Sequence, residues 1–268
     1  LPASAEWDGR AVRQALADPH RGEPETSAVL YIRSASTGSF PILLSADDGN
    51  RYWAKWPGNP HGNKSLVNEW VVLKLGEEIG APVRPGALVQ VEQEFIGDLR
   101  FNGVAPSPGT FFGSRFQAGS EEQTQIGFVG KDGNAERFAR FLALWELCMG
   151  DDAQFLYSHT DDLQVWSIDH GLWFNCMEGD WTPAQLAAWT EESWEWPEGR
   201  FPAGLSAREL HEAANSLDRL TSGAIGRAVG GVPVDWEVPD DELYALAYFI
   251  HCRRGAVASR LRAAATHY

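Results

Sequence analysis

The sequence predicts an α+β chain of two unequal parts, a first region of short strands around one helix and a second that is mostly helical. Three observations carry this reading. Short apolar runs separated by turn-forming residues fill 28–117, and large apolar side chains at helical spacing dominate from residue 135 onward. The charge also changes between the two parts. Residues 27–117 hold eight basic and eight acidic side chains, whereas 118–268 carry a net −13 and 1–26 a net −2 of the chain's −15.

In chain order, residues 1–26 are polar and interrupted by Pro and Gly, with Val12 and Leu16 marking at most a short amphipathic turn. Val29-Leu30-Tyr31-Ile32 reads as a strand, and after the small polar stretch Ser34 to Ser39 the run resumes at Pro41-Ile42-Leu43-Leu44. Asp47-Asp48-Gly49-Asn50 is a hairpin signal, because these residues accept positive φ. Arg51 to Trp56 is the returning strand, with Tyr52 and Ala54 alternating against Trp53 and Lys55. A Pro/Gly-rich loop at 57–62 leads into a helix that Asn63 or Ser65 can cap, with Leu66, Trp70, Leu73 and Ile79 at helical spacing. Gly80 and Pro82 stop it. Two more extended runs follow, Ala87 to Val91 and Phe111 to Gln117. Beyond a boundary near 118–120, a helix over 135–149 stacks Phe138, Phe141, Leu142 and Trp145 on one stripe, short extended runs interrupt 150–175, and helices are expected at 183–190, 206–222 and 240–263.

Composition excludes several classes. At 44% hydrophobic and 22% charged the chain is neither collagen-like, coiled-coil nor wholly disordered. An acidic chain lacks the clustered Lys and Arg that phosphate backbones and anionic lipid require, so neither nucleic acid nor membrane is an expected partner. Cys148, Cys176 and Cys252 form no CxxC or short metal spacing and read as reduced, buried thiols. With no apolar run approaching ~20 residues and no signal-peptide pattern, the expected location is cytoplasmic.

Four places carry candidate chemistry. Lys55 lies mid-strand between Trp53 and Trp56, where an ammonium is costly to desolvate unless an anion meets it, and Glu69 on the next helix is placed to do so. The alternative is a lysine whose stem lies along the sheet, with Glu69 on a solvated helix face. Ser34-Ala35-Ser36-Thr37-Gly38-Ser39 is small enough for backbone amides to approach a phosphate, although it is neither GxGxxG nor a Walker A loop. Met149-Gly150-Asp151-Asp152-Ala153-Gln154 follows the Phe/Trp helix directly, and Ile168-Asp169-His170-Gly171 offers a carboxylate at the end of an extended run, as a hard divalent cation prefers. Seven of the twelve Trp fall in 145–196; Trp189, Trp194 and Trp196 among Glu191, Glu192, Glu195 and Glu198 can either grip a cationic or peptide ligand or staple a loop to the helical part. His159, Asp161, Asp162 and His170 offer a metal-hydrolase alternative, but without HxxxH or HExxH spacing.

Phe40-Pro41-Ile42-Leu43-Leu44, Gly49 to Lys55, Asn59-Pro60-His61-Gly62, Asn68-Glu69 and Ile168-Asp169-His170-Gly171, in this order, resemble the compact HipA-like kinase family over residues ~27–262. The resemblance implies a bilobal protein-kinase-like fold, a small antiparallel sheet with one helix followed by a mostly helical lobe. An extension at 1–26, a nucleotide-binding lobe at 27–118 and a lobe for metal and acceptor at 119–268 follow from it. It further implies that Ser36, Thr37, Gly38 and Ser39 cover the phosphates and that Lys55 contacts them while pairing with Glu69. Phe116-Gln117-Ala118 would connect the lobes beside an adenine ring, and Asp169 would bind Mg²⁺. Asp151 or Asp152, Asp151 preferred for its distance from Asp169, would take the acceptor's proton. The cofactors implied are ATP and Mg²⁺. One departure stands out: such kinases place an Asn five residues after the catalytic Asp, whereas here Leu156 and Tyr157 occupy those positions, leaving Gln154 to supply a side-chain carbonyl. The expected activity is phosphoryl transfer to a hydroxyl, on a protein, a peptide or a small metabolite. The alternatives are a pseudokinase that binds nucleotide or peptide without turnover, and nucleotidyl transfer on the same scaffold. The acidic second lobe predicts a neutral or cationic acceptor.

Overall fold

The computed structural model describes residues 7–36, 38–97, 99–101, 103–176, 180–199 and 201–267. Helix α1 (Gly9–Leu16) precedes strands β1 (Thr26–Ser34), β2 (Ile42–Ala46) and β3 (Arg51–Lys55), helix α2 (Asn63–Ile79), strand β4 (Gly86–Val91), the short α3 (Gln93–Ile96) and strand β5 (Gly109–Arg115). The second part holds β6 (Ser120–Gln123), α4 (Asn134–Leu147), β7 (Gln154–Ser158), β8 (Gln164–Ile168), α5 (Pro183–Ala188), α6 (Ala207–Arg219), α7 (Ser222–Gly230) and α8 (Asp240–Ala265).

The five strands of the first part close into a barrel in the order β1-β2-β3-β5-β4. Four neighbour pairs are antiparallel as expected; the barrel closes through a parallel pairing of Thr26 and Ser27 with Val89 and Gln90. The hairpin between β2 and β3 turns at Gly49, whose φ of +81° suits glycine, and Asp48 locks it by accepting from the Asn50 amide and from the Tyr52 hydroxyl at 2.6 Å. Period-2 alternation then sends Tyr52 and Ala54 into the barrel and Trp53 and Lys55 out of it. Helix α2 starts behind Gly62 rather than on a side-chain cap. Asn63 instead accepts from the Gly58 amide at 2.7 Å, and Gly80, at φ +70°, ends the helix as its sequence predicts.

Two apolar cores divide the chain. One fills the barrel with Ile42, Leu44, Tyr52, Trp56, Val89 and Phe111. The other joins α2 (Leu66, Val67, Val71, Leu75) to α4, α6 and α8 (Phe138, Phe141, Leu217, Leu246, Ile250). The chain leaving α2 is also fastened to the second part: Ser167 donates its amide to Pro82, and Arg84 donates its amide to Ser167. Residues 9–16, expected as at most a turn, form a helix capped by Asp8 whose Val12 and Ala15 lie against Gly226 and Gly230 of α7. The expected helix 206–222 ends at Arg219, and α7 begins anew behind Thr221, whose hydroxyl accepts from the Ala224 amide. Strand β6 was not anticipated; it pairs with β7, which pairs with β8, in a three-stranded meander below the barrel.

Candidate active site

The barrel and the meander face each other across a cleft of about 440 Å³. From above come Lys55, Trp53 and Arg33, whose guanidinium lies 4.7 Å from the Trp53 ring centre. From below come Gln154, Leu156, Ile168 and Asp169, and Phe116, Gln117 and Ala118 close one side. Gln154 pairs with Ile168 in the β7–β8 ladder, so the start of one strand and the end of the other bring Gln154 next to Asp169.

Lys55 joins the two parts of the chain. Its ammonium is bonded to Glu69 of α2 and, at 2.5 Å, to Asp169 beyond β8. Lys55 and Glu69 are buried, while the Asp169 side chain keeps 37% of its surface exposed to the cleft. Burial alone would push the Lys55 ammonium down, but the Asp169 and Glu69 carboxylates outweigh it and hold its pKa above the ordinary value. Glu69 is raised by burial and by Asp169, against the pull of Lys55. Asp169 is lowered, because Lys55 more than offsets its own desolvation. The solvated-lysine alternative is therefore excluded by geometry.

Asp169 sits at φ +56°, in the left-handed region that a non-glycine residue occupies only when its surroundings enforce it. The next residue supplies part of that enforcement. The His170 amide donates to Glu69 Oε2 at 3.1 Å, and its ring lies 2.8 Å from Ser167 Oγ and edge-on to Trp173. Burial pushes His170 down to about 3, so the ring is neutral at ordinary pH.

The remaining expected residues fall in three groups. Phe116, Gln117 and Ala118 do line the cleft; the Phe116 amide donates to Arg51 O at 2.8 Å, and the Gln117 side chain reaches Ser158 Oγ at 3.4 Å. Of the small-residue turn, Thr37 lies outside the described residues. Ala35 and Pro41 line the cleft and bond across the turn at 2.9 Å, whereas Ser39 is buried and Gly38 packs so close to His61 that a Cβ there would meet its Nε2 at 2.7 Å. Asp151 and Asp152 line a neighbouring pocket of about 520 Å³ whose other wall is the segment 194–199. Asp152 is linked to the cleft by accepting from Gln154 Nε2 at 2.7 Å.

Tryptophans from both sides staple that wall in place: Trp145 Nε1 of α4 donates to Glu195 O at 2.8 Å and Trp194 Nε1 to Gly150 O at 2.6 Å. Arg253, fully buried in α8, donates to the carbonyls of Glu146, Leu147, Trp189 and Glu192, fixing the end of α4 just before the Asp151 loop. Sequence reasoning missed Arg253, Arg33 and His61. Arg33 falls in the same cross-strand row as Trp53 through Leu43, and His61 stands in the Asn59-Pro60-His61-Gly62 stretch; Arg253 left no signal. The metal-hydrolase alternative gains nothing: among the described residues no group of three or more His, Cys, Asp and Glu stands ready to hold a metal ion, and His170 is sealed inside.

A strand barrel with one carboxylate-bearing helix, a lysine paired to it, and a second carboxylate presented from a helical lobe define a protein-kinase-like fold. The sequence model of the HipA-like kinase family matches residues 30–130. Among solved structures, the chain is similar to CtkA, a proinflammatory kinase of Helicobacter pylori, with a TM-score of 0.54 and 12% identity over 88% of this chain and 94% of that one. A Golgi casein kinase aligns with a TM-score of 0.47 and 10% identity over 97% and 78% of the two chains. The same enzyme with Mn/ADP bound gives 0.46 and 10% over 95% and 76%. No curated protein matches in sequence. Among the described residues no helix is long and apolar enough to cross a membrane.

Proposed function

We propose that the chain is a phosphotransferase of the protein-kinase type that uses Mg²⁺ and ATP to phosphorylate a hydroxyl acceptor. Residues 27–118 serve as the nucleotide lobe, and 119–268 as the lobe for metal and acceptor. The observation that carries this reading is Lys55, buried yet charged, bridging carboxylates from both lobes at the wall of an interlobe cleft.

The donor set fits Mg²⁺. This ion keeps several waters and is usually held by one or two carboxylates plus substrate phosphates rather than by an all-protein cage. Asp169 offers the partly exposed carboxylate and Gln154 a neighbouring amide oxygen. When bound, Mg²⁺ supplies charge neutralisation at the phosphates. The chain's own residues do the rest. Glu69 holds the Lys55 ammonium toward the cleft, where it meets phosphate oxygens. The turn through Ser36, Gly38 and Ser39 would cover the phosphate end, its flanks Ala35 and Pro41 lining the cleft, while Gln117 and Ala118 offer backbone groups to the base, which rests on Leu156 and Ile168. Asp151 is the favoured base for the acceptor's hydroxyl proton, because it is half-buried while Asp152 is exposed and tied to Gln154.

That tie also favours a second reading. With no Asn five residues after either Asp and Gln154 engaged by Asp152, the fold can act as a pseudokinase that binds nucleotide or peptide without turnover. Calorimetric titration with ATP, with and without Mg²⁺, followed by an ATP-consumption assay separates the two. Lys55→Ala and Asp169→Ala are expected to abolish turnover in folded protein. Full activity of a folded Asp169→Ala protein would refute the kinase reading.

A further inference from the structure

Next to Glu69 on α2 stands Asn68, fully buried and outside the cleft. A buried amide is costly unless its hydrogen bonds are made, and an apolar side chain of similar volume would fill a helix-packing position without that condition. Here the amide is matched throughout. Its Nδ2 donates to Gly171 O at 2.8 Å and to Trp173 O at 2.9 Å, with Cys176 Sγ at 3.4 Å, and its Oδ1 accepts from Trp181 Nε1 at 2.9 Å. Every partner lies in the stretch that follows Asp169, more than a hundred residues away in the chain. Glu69 itself accepts from the His170 amide. Two consecutive side chains of one helix thus hold the backbone at residues 170, 171 and 173, immediately after an aspartate held in the left-handed conformation.

Resting on the kinase reading above, we propose that Asn68 is a positioning residue for the metal-bearing loop: by pinning Gly171, Trp173, Cys176 and Trp181 to α2 it fixes where Asp169 presents its carboxylate. Metal-dependent nucleotide affinity depends on Asn68, and metal-free nucleotide affinity does not. A merely structural asparagine would lower stability without separating the two.

The probe is ADP, titrated calorimetrically into the full chain with and without Mg²⁺. For Asn68→Ala the expected result is a metal-free ADP affinity within twofold of wild type and at least a fivefold smaller gain on adding Mg²⁺. Leu217→Ala, which hollows the core of α6, serves as a destabilised control and keeps the full gain. Trp181→Phe removes the single bond to Asn68 Oδ1 and is expected to give an intermediate loss; it decides the matter if Asn68→Ala does not fold. An undiminished Mg²⁺ gain in folded Asn68→Ala, or in Trp181→Phe where that variant stands alone, overturns the inference and leaves the kinase reading intact. A wild-type protein that binds no ADP in either condition overturns the nucleotide reading and this inference with it.

Discussion

Replacing Lys55 by methionine keeps the stem and removes the charge between Glu69 and Asp169. Glu69 is then a buried carboxylate beside a second carboxylate, with its cationic partner gone. Removing one member of a buried ion pair typically costs about 3–5 kcal/mol. The protein can limit that cost by protonating Glu69, which burial and Asp169 already push upward. Holding a carboxyl of ordinary pKa 4.5 neutral at pH 7 costs about 3.4 kcal/mol, at about 1.36 kcal/mol per unit. In the variant the folded-state pKa of Glu69 stands well above its unfolded value, so its contribution is fully present below pH 4.5 and is lost as the pH rises. At pH 5 the same neutralisation costs about 0.7 kcal/mol. Lys55→Met is therefore expected to be less stable than wild type by about 3 kcal/mol at pH 7, with the gap narrowing by up to about 2.7 kcal/mol at pH 5. Urea denaturation of both proteins at the two pH values measures this. The double variant Lys55→Met/Glu69→Gln should recover most of the loss at pH 7. A gap of equal size at both pH values, or no recovery in the double variant, would refute the assignment of Glu69 as the stranded charge.

Other expectations follow from neighbouring contacts. His170, neutral in the fold down to about pH 3 against an ordinary 6.5, should make stability fall with acidification across that window by about 1.4 kcal/mol per pH unit. A folded His170→Phe variant loses that component, and identical pH slopes for the two proteins would contradict it. At Gly150 a Cβ would meet the Trp145 ring at 2.5 Å, so Gly150→Ala should lower stability by roughly 1–3 kcal/mol, read as a drop in Tm. The pocket beside Asp151 also exposes Glu195 and Glu198 and no cation among its described lining residues. Acceptor peptides flanked by Lys or Arg should outperform the same peptides flanked by Asp or Glu at low salt, with the difference shrinking as salt rises. Equal rates at low salt would remove the basis for a neutral or cationic acceptor.

What the sequence disclosed and what it hid divide along physical lines. The β2–β3 hairpin and α2 with its glycine stop rest on local chemistry, turn residues and periodicity, and a lysine whose desolvation needs an anion points to Glu69 as one of two readings. The order Lys55, Glu69, Asp169 as one site comes from the resemblance to the HipA-like kinases. The parallel closure of Thr26 and Ser27 onto Val89 and Gln90 joins residues more than sixty positions apart, and no local pattern announces it. Helix α7 escaped because Gly223, Gly226 and Gly230 are poor helix formers; Gly226 and Gly230 are small where Val12 and Ala15 of α1 pack against them. The orientation of Asp151 and Asp152 toward the second pocket depends on positive φ at Met149 and Asp152, which spacing does not encode. Asn68 was visible as part of a motif, but its partners at 171, 173 and 181 were not.

The way the two apolar cores divide the chain bears on how the protein can be dissected. The linker at 116–118 looks like the place to cut, yet α2, which lies before it, buries its apolar side chains with α4, α6 and α8. A fragment ending at 118 would carry a long helix stripped of its packing partners, and the complementary fragment would lack the wall that α2 provides. Pro82 and Arg84, hydrogen-bonded to Ser167, fasten the exit of α2 to the meander as well. Leu88 of β4 and Phe112 of β5 belong to that same core, so α2 is shared between the barrel and the helical part, and neither product of a cut at 116–118 keeps its core whole.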